Sequence, residues 1–266
     1  MIISKSKPRI IIIGGKYLGC AVMEYLHANN VNICLVISRA DDEGKDTLFP
    51  SIKKLSKSYK IKCINPLELK SLSILKKYKP DLILSIENNR IIPSSWINYM
   101  KNKIGIINSH FSPLPAYAGY WPEMWSIWND EKIFGVTLHH ISKDIDQGNI
   151  IDQKIFKINK NETRQSLYIK SYKNCFQLFK KNLNKIINEE KIINTNDYKF
   201  KSSFYKRNLP NNGFIDKKWS LKKQERFIRS LSYPGYSGPK IKIGKMTYTI
   251  LEDDIEFYKK IEVKYI

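Results

Sequence analysis

The chain has 266 residues, 42% of them hydrophobic and 12% aromatic, so it can bury a full core and is too apolar to be a disordered segment. Its formal charge of +21 comes from 46 Lys and Arg against 25 Asp and Glu; the lysines are spread rather than blocked, which reads as a solvated basic surface with room for a phosphate-bearing small substrate. The cysteines (Cys20, Cys34, Cys63, Cys175) form no C-x-x-C pair and the first apolar run is too short for a signal peptide or a membrane span, so a soluble cytoplasmic protein without a metal is expected.

RIIIIGG (9–15) is a short apolar run closed by two glycines, and YLGCAVMEYLHANN after it has helical spacing: a buried strand feeding a helix. VNICLVIS (31–38) repeats the strand signal, LFPSIKKLSKSYK is helix-like and IKCI is a short strand. PLELKSLSILKKYK opens with Pro66 at a first helical position, DLILSI (81–86) is a buried strand and KIGIINSH (103–110) another. Strands that alternate with helices in this way imply βαβ units, hence an α/β fold with a parallel sheet covered on both faces.

Beyond a proline loop, PEMWSIWN reads as a short helix, IFGVTLHHI as a strand alternating through Val136 and Leu138, and NIIDQKIFKI (149–158) as a further strand. A helix from about Glu162 to Glu190 follows, with Tyr172, Phe176, Phe179, Leu183 and Ile186 in one stripe. After residue 195 the texture changes to short β-like pieces, one helix (SLKKQERFIRSLS) and a hairpin, KIKIGKMTYTILE, turning at Gly244. The expected division is a catalytic domain over 1–192 and a small, mainly β C-terminal region over 193–266.

Asn108 and His110 stand at a strand end, where open α/β sheets bind ligands. Period-two geometry puts both on one face and turns Ser109 away. Pro113 and Pro115 fix the direction in which SPLPAYAG leaves, and Asp146 follows a second strand just before a turn glycine. An amide can donate to a developing oxyanion, and an imidazole can take or relay a proton near neutral pH. A carboxylate can orient that imidazole and stabilise its charge, or pass protons through a water. No covalent nucleophile is present, because Ser109 faces away and Ser112 lacks a placed base. Direct acyl transfer from a bound donor to an amine fits best. His139 and His140 point to opposite faces of their strand; His139 braces the site and His140 lies at the surface or in packing.

INSHFSPLPAYAG and FGVTLHHISKDIDQGNII closely resemble the formyltransferases that use N10-formyltetrahydrofolate. The hallmark is Asn-x-His-x-Ser-x-Leu-Pro, then Gly-Val-Thr-x-His and Asp-x-Gly. Here it falls on Asn108, His110, Ser112, Leu114 and Pro115, then Gly135, Val136, Thr137 and His139, then Asp146 and Gly148. The likeness runs from about residue 9 to 190. It implies a Rossmann-like fold with Asn108 at the oxyanion, His110 as base and Asp146 as its orienting partner. It also implies a pterin lying along LILSIENNRIIP, with Ser85, Ile86, Glu87, Asn88 and Ile91 as folate contacts, joined by Asp144.

The length after the catalytic part is too short for the barrel of the methionyl-tRNA enzymes and long for the glycinamide ribonucleotide enzymes. The sugar N-formyltransferases fit between, and RFIRSLSYPGYSGPKIKIGKMTYTI (226–250) looks like their tail. The resemblance implies an amino sugar linked to a nucleoside diphosphate, dTDP by preference: dTDP-4-amino-4,6-dideoxyglucose or a 3-amino analogue, for surface polysaccharide. A nucleotide sugar needs flat apolar surfaces, which Tyr120, Trp121, Tyr233 and Tyr236 can offer, and cations, for which Arg9, Lys16 and Arg229 are the candidates. Ala118 departs from the family, where many members have Arg, so a contact made there elsewhere must come from another residue.

Two rivals remain, transfer to methionyl-tRNA and a non-catalytic nucleic-acid-binding α/β module; no aromatic RNP-like strand or zinc knuckle supports the second. A dinucleotide oxidoreductase is disfavoured, since Gly14, Gly15 and Gly19 do not satisfy G-x-G-x-x-G. A homodimer is expected, and neither a membrane nor nucleic acid as partner.

Overall fold

A computed structural model describes residues 7–67, 71–190, 200–236, 238–243 and 245–250. The expected boundary at 192/193, the hairpin turn at Gly244 and the end of that hairpin (Leu251, Glu252) lie outside the described residues.

Seven strands form the central sheet. These are β1 (Arg9–Gly14), β2 (Asn32–Ser38), β3 (Cys63–Ile64), β4 (Leu82–Ile86), β5 (Gly105–His110), β7 (Ile133–His140) and β8 (Ile150–Lys157), in the order β3-β2-β1-β4-β5-β7-β8. β3 to β5 run parallel; β7 and β8 are added antiparallel. The strand order reverses between β1 and β4, the switch point at which ligands collect in such sheets. This is the Rossmann-like α/β fold the sequence led us to expect.

The isoleucines of β1 show why its run is continuous rather than alternating. Ile10 and Ile12 pack under helices α1 (Lys16–Ala28), α2 (Ile52–Ser58) and α6 (Arg164–Ile187), whereas Ile11 and Ile13 pack under α3 (Leu72–Tyr78) and α4 (Ser94–Met100). All four are essentially inaccessible, and burying such a side chain contributes about 1.5–3 kcal/mol. On α6 the stripe Tyr172, Phe179, Leu183 and Ile186 is buried as its spacing requires; Phe176 sits at the margin, edge-on to Tyr25 at 5.9 Å.

Two boundaries differ from expectation, each for a capping reason. The helix expected from Pro66 starts at Leu72, because Ser71 supplies the side-chain cap to the Ser73 amide. The helix expected from Glu162 starts at Arg164, because Thr163 and Ser166 form a reciprocal capping box.

The described residues after 200 hold α7 (Leu221–Leu231) and short strands: β9 (Phe204–Tyr205) and the hairpin β10 (Lys240–Ile243) with β11 (Met246–Thr249). They do not stand apart from the rest of the chain. β9 pairs with β6 (Ala118–Gly119), and Phe227 and Leu231 of α7 share a core with Met124 of α5 (Pro122–Trp128). Among the described residues, no helix is long and apolar enough to cross a membrane.

Candidate active site

Asn108 and His139 are direct partners across the antiparallel β5–β7 pair. His139 Nδ1 lies 3.0 Å from the His140 carbonyl oxygen, which can only accept, so Nδ1 carries the proton. Nε2 is then the lone pair, and it accepts from Asn108 Nδ2 at 3.0 Å. This chain of donors fixes which way the Asn108 amide points and leaves its second N–H for a ligand. Burial pulls the His139 pKa down to about 4, with His110 acting in the same direction and Asp146 against it. His139 is therefore neutral near pH 7, as its role as acceptor demands.

His110 follows the same logic. Its Nε2 donates to the Tyr117 carbonyl at 3.1 Å, which leaves Nδ1 as the basic nitrogen, 3.7 Å from Asp146 Oδ2. That spacing is long for a hydrogen bond but suits a carboxylate that stabilises the imidazolium once Nδ1 has taken a proton. Asp146 Oδ2 also accepts the Gly119 amide at 2.9 Å, and Oδ1 is 3.8 Å from His139 Nε2. The sequence suggested that Asp146 sits at the end of a neighbouring strand. Because β7 is antiparallel, its end lies beside the middle of β5, and the connection 141–149 must turn back to deliver Asp146 to His110. Ser109 faces the other way, beside Leu18 and Cys175, and Ser112 is spent on the Ala116 carbonyl at 2.8 Å.

The proline loop is pinned to β7 and β8. Thr137 Oγ1 donates to the Ser112 carbonyl at 2.7 Å and accepts from Leu114 N at 3.2 Å, and Gln153 Nε2 donates to the Leu114 carbonyl at 2.6 Å. Among the non-glycine residues in the left-handed region, Tyr117 (φ 57°) and Trp121 (55°) lie on this loop, and Lys16 (56°), Glu87 (50°) and Asp146 (55°) follow strands of the sheet. Such strain persists where surrounding contacts over-determine it, a pattern typical of functional sites.

The aromatic residues singled out in the sequence do meet, around a residue that was not. The Arg164 guanidinium carbon lies 5.3 Å from the Trp121 ring, 4.6 Å from Tyr233 and 4.9 Å from Tyr236. Tyr120 stands edge-on to Trp121 at 6.4 Å and is 43% exposed. Lys16 lies over the Phe49 ring at 4.1 Å, its pKa lowered by burial with Glu87 opposing.

With that geometry described, the profile of the formyl transferase family matches residues 8–181. The chain belongs to the formyl transferase family. It is 31% identical to an N-formyltransferase of Helicobacter canadensis whose crystal structure holds folinic acid and dTDP-3-aminofucose; the TM-score is 0.72, with 89% of this chain and 84% of that one covered. It is 32% identical to the bifunctional polymyxin resistance protein ArnA of Wigglesworthia glossinidia brevipalpis over 85% of this chain and 35% of ArnA. It is 31% identical to the methionyl-tRNA formyltransferase of Thermosipho africanus (strain TCF52B) over 61% of this chain and 54% of that protein. The formyl transferase chain thus matches about a third and about half of the length of these two curated relatives.

Most side chains of the segment expected to lie along a pterin are engaged within the protein itself. Ser85 is the register partner of Asn108 and is buried. Ile86 belongs to the core, and its carbonyl accepts the Gly15 amide. Glu87 turns inward: its carboxylate accepts from Leu18 N at 2.9 Å and Tyr168 Oη at 2.5 Å, while its carbonyl accepts from Arg39. Burial pushes the Glu87 carboxyl pKa up, with Lys16 the main opposing influence. Glu87 therefore ties the loop to α1 and α6 and presents no carboxylate to an open crevice. The Asn88 side chain closes on its own loop through Arg90, and Asp144 is exposed, its carbonyl accepting from Ser142 and Gln147. Ile91, 78% exposed, and Ile145, 47% exposed, leave apolar surface on the connections from the strands either side of β5.

Two of the expected phosphate cations are elsewhere. Arg9 opens β1 at the end opposite Gly14, with Nε donating to the Tyr78 carbonyl. Arg229 donates to the Glu162 carbonyl at 2.7 Å, tying α7 to the start of α6. Arg164 and Glu123, both buried beside the site, escaped the sequence reading. Arg164 left a faint sign, since a cation in the first turn of a helix opposes the macrodipole. Glu123 left none, because an acid in a first turn is ordinary. Among the described residues, no cluster of three or more His, Cys, Asp or Glu could hold a metal ion.

The depressed pKa of His139 makes stability depend on pH. Between about pH 4 and pH 6.5 the unfolded chain binds a proton that the folded chain refuses, so stability rises with pH there and is lost on acidification. We expect this group to remove about 3 kcal/mol across that window. Urea unfolding of wild type and His139→Gln at about pH 7 and about pH 4.5 checks it. The variant should lose less on acidification; equal losses would assign the acid limb to other groups.

Proposed function

We propose that this formyl transferase moves the formyl group of N10-formyltetrahydrofolate to the amino group of a nucleoside-diphosphate-linked amino deoxysugar. The observation that carries the reading is the convergence of Asn108, His110 and Asp146 beside an aromatic-walled charged recess. It is supported by 31% identity to a chain whose structure holds folinic acid and dTDP-3-aminofucose. The unprotonated sugar amine attacks the formyl carbon. The free Asn108 N–H holds the oxyanion, and His110 Nδ1 takes the proton released from the new C–N bond. That charge rests against Asp146 until the bond from carbon to N10 breaks, the carbonyl re-forms and the proton held on His110 passes to N10. Holding donor and acceptor together contributes several kcal/mol by itself.

Within this reading the acceptor is dTDP-4-amino-4,6-dideoxyglucose or a 3-amino analogue. Ile91 and Ile145 flank the pterin, a homodimer works in the cytoplasm, and the product serves surface polysaccharide. The test is to incubate the protein with formyltetrahydrofolate and a panel of dTDP-, UDP- and GDP-linked amino sugars together with methionyl-tRNA. Mass spectrometry should find one added formyl unit on a dTDP-linked sugar. Formylation of methionyl-tRNA alone would replace this reading with the tRNA one.

A further inference from the structure

Glu123 is 7% exposed, yet no lysine, arginine or histidine among the described residues comes within 4 Å of its carboxylate oxygens. Arg164 is 4% exposed, and its Nε–H is buried without an acceptor. A buried carboxylate and a buried guanidinium are each costly unless paired, and here they stand in each other's field without touching. Burial pushes the Glu123 pKa up; Arg164 is the strongest opposing charge, followed by its own backbone amide, His110 and Lys16. Trp121, two residues before Glu123, walls the Arg164 guanidinium together with Tyr233 and Tyr236.

Aromatic faces pack on the Arg164 guanidinium, but among the described residues no carboxylate meets it in an ion pair and no cation meets Glu123. An acid and a base of similar burial gain most by closing to contact; held apart, they suit a ligand that carries both signs and inserts between them. We propose that Glu123 and Arg164 form the acceptor subsite, Glu123 binding the ammonium of the incoming amine and Arg164 an anionic group of the same molecule. This rests on the acceptor reading given above and adds to it the groups that select an amine. Glu123 is one turn of loop beyond Gly119, whose amide holds Asp146, so the acid that captures the ammonium and the acid behind the base belong to one connected segment. Captured as a cation, the amine passes one proton to the Glu123 carboxylate before attack, which leaves a neutral nucleophile and keeps the His110 imidazole free for the proton released as the C–N bond forms.

The test compares wild type, Glu123→Gln and Glu123→Asp, once thermal melts show each folded. Gln keeps shape and hydrogen bonding but loses charge; Asp keeps the charge one methylene shorter. Calorimetry should show wild type preferring the dTDP-linked amino sugar over the same sugar with a hydroxyl in place of the amine. Glu123→Gln should erase that preference and raise the acceptor KM about tenfold or more, with the donor KM unchanged, and Glu123→Asp should restore part of both. An undiminished preference in Glu123→Gln would overturn the subsite while leaving the proposed function intact. Failure of wild type to formylate any nucleotide-linked amino sugar would remove the function, and this inference with it.

Discussion

Replacing His110 by alanine should lower turnover by roughly 10²-fold or more while donor and acceptor affinities change little. The partner of the imidazole Nδ1, Asp146 Oδ2 at 3.7 Å, becomes favourable only after a proton arrives. Its contribution therefore appears as charge develops, and that raises kcat rather than lowering KM. Asn108→Ala should fall in the same range, because in the proposed reaction the amide fixed by His139 holds the oxyanion. Both groups serve the same step, so the double variant should lose less than the product of the single losses. Steady-state kinetics with each substrate varied in turn decides the matter. Turnover within about threefold of wild type for either single variant would show that the group is not part of the chemistry.

A second large effect is expected at Gly14, in stability rather than rate. A β-carbon there would stand 1.7 Å from the Ile86 carbonyl oxygen, and the residue adopts φ +133°. Neither partner can yield: Ile86 ends β4 and its carbonyl accepts the Gly15 amide at 3.1 Å. Gly14→Ala must separate two central strands or unlatch the β1–α1 turn, and should cost at least about 4 kcal/mol. Urea denaturation measures it directly; a loss under about 1 kcal/mol would mean that the turn is free to shift.

The same glycine shows how far the sequence could be read. The Gly14–Gly15 pair was visible as a strand-to-helix turn and as a failed dinucleotide fingerprint, but its purpose, close approach to β4, is a contact across the sheet that no local pattern encodes. Strand periodicity was enough to set Asn108 and His110 on one face, because alternation is a property of the backbone itself. It could not reveal that β7 runs antiparallel, and so that Asp146 arrives by a loop that doubles back. Charged residues were the hardest to place. Arg9 and Arg229 looked like free cations and are committed to the Tyr78 and Glu162 carbonyls. Glu87 was expected along the pterin, and its carboxylate is drawn under Tyr168. A side chain long enough to reach several partners takes whichever one tertiary structure presents.

The pairing of β6 with β9 ties the segment after residue 200 to Asp146. Ser203 and Tyr205 hold the Ala118 and Tyr120 amides, and the intervening Gly119 amide is the donor that steadies Asp146. Under the proposed function, a chimera that borrows another relative's tail would also re-lace the carboxylate assigned to His110, so small changes inside the existing seam disturb the site least.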